Sequence, residues 1–128
     1  MGKQAGLWID HRKAVIVLIS EAGEQIKVIY SDMEKRIRFT EGTGSQDGST
    51  EDVRDRQFAQ HLNSFYDQVI AILRQADSIL VFGPGEAKSE LQKRLERKGL
   101  KERLLAVESA DKMTEAQVAA KVRKRFPH

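Results

Sequence analysis

The feature that most constrains the fold is a sudden change of character at Gly83-Pro84-Gly85. Before it stands the apolar run Ile79–Phe82. After it, at once, stands a charged stretch with Ala87, Leu91 and Leu95 on one helical face. A short unbroken apolar run is what a strand covered on both sides looks like. Recurrence every four residues marks an amphipathic helix. Gly-Pro-Gly between them supplies a tight turn, with Pro84 stiffening the chain between two permissive residues. The helix should end near Lys98, with Gly99 as a left-handed cap and Leu100 folding back. A second covered strand then follows at Leu104–Val107. Strand, helix, strand in this spacing is a parallel crossover unit, and it demands a sheet with helices on its faces.

The elements upstream supply the rest of that sheet. Gly6–Asp10 and Ala14–Ser20 are rich in strand formers and are separated by the polar link His11-Arg12-Lys13, so they read as a hairpin. Ile26, Val28 and Tyr30 alternate with more polar neighbours, as in a half-buried strand. Ile37 and Phe39 alternate with Arg36 and Arg38 in a fourth, shorter strand. The segment 40–49 has three glycines and no large apolar residue after it leaves that strand, and it reads as a loop.

Phe58, Leu62, Phe65, Tyr66, Val69, Ile70 and Leu73 then form one apolar stripe of a long helix. Ser49 or Thr50 stands at its start as a cap, and Glu51, Asp52 and Asp55 suit its positive end. Thr114-Glu115-Ala116-Gln117 is a capping box for a last helix burying Val118, Val122 and Phe126, with Met113 stapled to Val118 and Pro127 closing it. The expected fold is α/β, in the order ββββ-α-β-α-β-α, with helices packed on a mixed sheet. No repeat, linker or low-complexity block divides the 128 residues, so residues 1–128 are expected to form a single domain.

Composition narrows the chemistry. Without cysteine there is no disulfide, thiolate metal site or Cys nucleophile. No apolar stretch reaches the roughly 20 residues a membrane helix needs, so no membrane partner is expected. MGKQAGLWID lacks a basic-then-apolar leader, and a cytoplasmic location is expected. The formal charge of +3 is uneven: 13 of the 22 Lys and Arg, but only 9 of the 19 acidic residues, fall from Phe65 onward. Lys93, Arg94, Arg97, Lys98, Lys101 and Arg103 surround the end of the second helix. Lys121, Arg123, Lys124 and Arg125 close the third. Cations at helix C-termini also complement the helix dipole, which accounts for part of this clustering. If the two ends meet on one sheet edge they form a patch able to neutralise several phosphates, and RNA becomes the expected partner.

Other candidate sites are sparser. Gly83-Pro84-Gly85 with Lys88 lacks the spacing of a P-loop or a dinucleotide fingerprint, so it reads as a turn rather than a phosphate cradle, and no cofactor is expected. Asp10 at the end of the first strand is either a turn residue or one ligand of a nuclease-type metal pair. Asp67 and Asp77, the other carboxylates considered, sit in no supporting motif. His11, His61 and His128 share no metal-ligand spacing, and no Ser-His-Asp arrangement is present.

The order of elements is similar to that of ribonuclease H-like folds and translational machinery components. Three segments resemble one family in particular: WIDHRKAVIV, VFGPGEAK and VESADKMTEAQVAAKVR. They resemble the central domain of class 1 peptide chain release factors of eukaryotes and archaea, and of their relative Pelota. The turn Gly83-Pro84-Gly85-Glu86-Ala87-Lys88 matches that family's Gly-Pro-Gly-x-x-Lys, and the chain looks like one of the small stand-alone bacterial relatives. The resemblance implies a translation-associated protein whose partners are the ribosome, rRNA or tRNA.

In release factors a Gly-Gly-Gln tripeptide before the long helix enters the peptidyl-transferase centre. Here Gly44-Ser45-Gln46 stands in that place. Gly44 and Gln46 match, whereas Ser45 adds a Cβ where the family has none. Asp47, Glu51 and Asp52 place negative charge nearby. The resemblance therefore implies binding without an intact catalytic tripeptide. The alternatives are a peptidyl-tRNA hydrolase acting through Gly44 and Gln46 in the 40–49 loop, and a protein-interaction module with no role in nucleic-acid binding.

Overall fold

The computed structural model describes residues 2–31 and 51–126, with backbone alone for 51–61. Strands β1 (Gln4–Ile9), β2 (Lys13–Ser20) and β3 (Gly23–Tyr30) lead to helix α1 (Glu51–Leu73). Strand β4 (Ser78–Gly83), helix α2 (Ala87–Arg97), a 3-10 turn (Lys101–Arg103), strand β5 (Leu104–Ser109) and helix α3 (Glu115–Arg125) follow. The strands form one mixed sheet in the order β3-β2-β1-β4-β5. β1–β2 and β2–β3 are antiparallel, and β4 lies parallel to both β1 and β5. The expected α/β fold is therefore present. The expected fourth strand at Ile37 and Phe39 lies outside the described residues, as do the helix caps Ser49 and Thr50.

Two cores flank the sheet, and strand alternation decides which residue enters which. Leu7 and Ile9 of β1, Ala14, Ile16 and Leu18 of β2, and Ile79 and Val81 of β4 pack against α1 and α2. Those helices contribute Phe65, Tyr66, Val69, Ile70 and Leu73, then Ala87, Leu91 and Leu95. Trp8, Val15, Val17, Ile19, Leu80 and Phe82 face the other way, onto Val118, Ala119, Val122 and Phe126 of α3. Because β1, β2 and β4 are covered on both sides, their sequences are nearly unbroken apolar runs. Gly6 sits under α3 so closely that a Cβ there would lie 2.4 Å from Val122 Cγ2.

The helix boundaries follow their capping chemistry. The Leu100 N–H donates to the Leu95 carbonyl at 2.9 Å and the Gly99 N–H to that of Glu96 at 3.2 Å, with Gly99 at φ 80°. This is a Schellman ending, and Leu100 is buried behind it. At α3 the Gln117 N–H donates to Thr114 Oγ1 at 3.1 Å, and the Thr114 N–H donates to Gln117 Oε1 at 2.9 Å.

Two strands differ from expectation. β5 is covered only in part, with Leu104 and Val107 packed against one core and Ala106 against the other. It is an edge strand paired only with β4 among the described residues, and its register slips so that Ile79 faces Leu104 while Leu80 faces Ala106. Leu105 is the bulged residue and is 47% exposed. A bulge of this kind distorts an edge and discourages further strands from pairing with it. α3 covers β3 only in part: Val28 packs against its core, whereas Ile26 and Tyr30 are 42% and 62% exposed rather than half-buried.

Candidate nucleic-acid interface

The sheet has two ends of different character. α2 leaves the carboxyl end of β4 and returns to the start of β5, so its C-terminus lies beside the amino ends of the parallel strands. α3 runs the same way on the opposite face, since Val122 packs over Gly6 and Arg123 reaches Glu24 beside the β2–β3 turn. The two basic helix ends therefore lie at the same end of the sheet but on opposite faces. They do not meet on one sheet edge, because the sheet and its two cores stand between them.

The cations of each cluster divide into engaged and free. Arg94 donates to Asn63 Oδ1 and lies over the Tyr66 ring, 5.0 Å from its centroid. Arg103 donates Nη1 to the carbonyl oxygens of Arg74 at 3.0 Å and Ala76 at 3.3 Å, where the end of α1 leaves acceptors without helical donors. Lys93, Arg97, Lys98 and Lys101 are exposed, with no ion pair among the described residues. On α3, Lys121 pairs with Glu108 at 3.3 Å and lies over Phe82. Arg123 grips both oxygens of Glu24, with Nε at 2.6 Å and Nη2 at 3.0 Å. That hydrogen-bonded carboxylate raises the Arg123 guanidinium above its ordinary pKa. Lys124 and Arg125 are exposed without ion pairs among the described residues.

At the carboxyl end of β1 lies a second polar cluster that sequence reasoning missed. Glu90 Oε1 accepts from the Tyr66 hydroxyl at 2.5 Å and lies 3.1 Å from His11 Nε2. Burial, then the hydrogen bond and charge of Glu90, push the Tyr66 phenol above its ordinary value despite Arg94 close by, so it stays a donor. The Ser31 hydroxyl donates to the His11 carbonyl at 2.7 Å, tying the end of β3 to the same turn. The available signal was Tyr66 itself, since a tyrosine on a buried stripe needs a partner for its hydroxyl. Nothing in the spacing pointed to Glu90 or His11 as that partner.

The remaining candidates fall into place one by one. Asp10 accepts from the Arg12 N–H at 2.8 Å and the Lys13 N–H at 2.9 Å, so its carboxylate holds the hairpin turn. Asp77 precedes β4, at the opposite end of the β1–β4 pair, and accepts from the Lys3 N–H. At Gly83 a Cβ would lie 2.2 Å from the Ile9 carbonyl oxygen, so the turn brings two backbones into contact. Gly85 has φ 65°, and the Lys88 ammonium donates to the Gly85 carbonyl. Lys88 thus closes the turn that precedes its own helix. Gly44 and Gln46 lie outside the described residues.

No family model matches the chain, and no curated protein matches it. Solved structures do. The chain is similar to the Thermoplasma acidophilum Pelota protein, with TM-score 0.54 and 19% identity over 98% of this chain and 31% of that one. It is similar to an archaeal translation termination factor, aRF1, with TM-score 0.54 and 16% identity over 98% of this chain and 35% of that one. Archaeoglobus fulgidus Pelota gives TM-score 0.58 and 14% identity over 98% of this chain and 32% of that one. The chain spans about a third of each of these proteins, and at such identities the likeness is one of fold: this α/β sheet with its three helices has the fold of a Pelota- and aRF1-like domain.

Proposed function

We propose that this chain is a translation-associated binding protein, a relative of the release factor and Pelota central domain, that contacts the ribosome or tRNA through a basic surface. The observation that carries the reading is the fold likeness over 98% of the chain to two Pelota proteins and a translation termination factor. It is supported by cations that are exposed and free of protein carboxylates, since such groups can neutralise RNA phosphates and release their counterions without first giving up a pair. The reading is one of binding rather than catalysis, because Ser45 interrupts the tripeptide on which release-factor hydrolysis depends.

Ribosome co-sedimentation tests it. The protein is expected in the ribosomal pellet at low salt and in the supernatant at high salt, since phosphate contacts weaken steeply with ionic strength. Its absence from ribosomal fractions at low salt would overturn the reading.

A further inference from the structure

We infer that the nucleic-acid footprint is one-sided: the α2 end, with Lys93, Arg97, Lys98 and Lys101, takes the phosphates of a duplex RNA segment, and the α3 end lies outside it. The inference rests on the proposed function and adds which face binds and what kind of RNA it takes. Three observations carry it.

The first is geometry. The two basic ends are on opposite faces of the sheet, so they form two separate patches rather than one continuous surface. The second is the local charge balance. Residues 93–103 hold six Lys and Arg against Glu96 and Glu102. Arg94 and Arg103 are spent on the protein, which leaves four exposed cations on one turn-and-a-half of helix and the turn after it. On α3, two of the four cations are held by Glu24 and Glu108, and a cation already paired with a carboxylate must give up that pair before it can serve a phosphate.

The third is the absence of a stacking surface. Among the described residues the exposed large apolar side chains are Ile26, Tyr30 and Leu105. Tyr30 pairs with Lys13, at the far end of the sheet from the C-terminus of α2 and on the α3 face. Single-strand binders hold splayed bases on aromatic rings, whereas this surface presents charge beside Leu105 and no exposed aromatic ring among the described residues. A charged surface without aromatic rings fits the phosphate-dense backbone of a duplex, recognised without regard to sequence.

Two double variants of equal charge separate the faces: Arg97→Gln with Lys101→Gln, and Lys124→Gln with Arg125→Gln. Fluorescence anisotropy with a labelled RNA duplex of arbitrary sequence, and with one of its strands alone, is read across a salt series. The wild type should favour the duplex. The first variant should flatten the slope of log K against log salt by about 2, at roughly 0.9 for each phosphate left without its cation. The second should leave the slope unchanged.

Equal flattening by both variants, a larger effect of the second, or preference for the single strand would overturn the footprint while leaving ribosome association intact. A wild type that neither pellets with ribosomes nor binds the duplex would overturn the proposed function, and the footprint with it. Circular dichroism of both variants confirms that the exposed substitutions leave the fold in place.

Discussion

Two glycines of the same turn are required to different degrees, and their substitutions should separate them. Gly83 is constrained twice: its φ of 157° is one that L side chains rarely adopt, and the obstacle to a Cβ is the Ile9 carbonyl oxygen, a backbone atom that cannot rotate away. Gly83→Ala should therefore push β1 and β4 apart and cost about 3 kcal/mol, at the upper end of overpacking effects. Gly85 is constrained by its torsion, with φ 65° and open space around the missing side chain. Gly85→Ala should cost only about 1–2 kcal/mol, the penalty of a left-handed residue, and Gly85→Asn less. Urea midpoints of the three variants check the order, and a Gly83→Ala protein as stable as Gly85→Asn would contradict it.

Tyr66 makes the second residue-scale prediction. Its phenol has a folded-state pKa above the unfolded value, so the folded chain keeps this proton at a pH where the unfolded chain loses it. The stabilisation is complete below the ordinary tyrosine range and falls as pH rises above it. Wild type should therefore lose stability between pH ~8 and ~11 more steeply than Tyr66→Phe, whose buried ring has no proton to lose. Comparing urea midpoints at the two pH values isolates this effect from the lysines, which titrate in both proteins.

At the scale of elements, what could be read from sequence was whatever rests on local chemistry. The capping box at Thr114 and Gln117, the Schellman ending at Gly99 and Leu100, and the buried stripe of Ala87, Leu91 and Leu95 all depend on residues within one or two turns. The covering of β5 is less complete than expected, because Leu104–Val107 looks the same whether or not another strand lies beside it. Being apolar says nothing about how many neighbours a strand has, and the bulge at Leu105 leaves no local mark. The same holds for β3, whose alternation was real but of whose row Ile26, Val28 and Tyr30 only Val28 is packed against the α3 core. The Tyr66–Glu90–His11 cluster joins two helices and the β1–β2 turn, and Arg123 finds Glu24 across 99 positions, so neither had a period to reveal it. The local chemistry is directly testable. Thr114→Ala should cost about 1 kcal/mol, and Leu91→Ala, which empties a site in the larger core, about 2–5 kcal/mol. Chemical denaturation measures both, and a Thr114→Ala loss larger than that of Leu91→Ala would mean that caps rather than packing hold the helices.

Across the whole molecule, stability should be graded from the middle of the sheet outward. β1 and β4 are sandwiched between two cores, and their pairing sets Gln4 beside Ser78, so it cannot form until the intervening chain has closed. Breaking that pair exposes both cores at once, which amounts to unfolding the domain. β5 has only β4 beside it among the described residues, and its side chains are partly exposed throughout. It can detach with less loss of buried surface than β4, whose residues after Ser78 are all buried, and local openings of this kind are cheaper than global unfolding. Native-state hydrogen exchange should therefore find the β1, β2 and β4 amides exchanging only by global unfolding. The β5 amides bonded to β4 should exchange faster, by a step that denaturant barely accelerates. Equal protection of β4 and β5 would mean that β5 is covered in solution by something its edge position leaves out. The α2 end joins directly to β5 through Lys101–Arg103, so RNA bound there should slow exchange in β5 before it affects β1. That ordering would tie the mobile edge of the sheet to the surface proposed to bind.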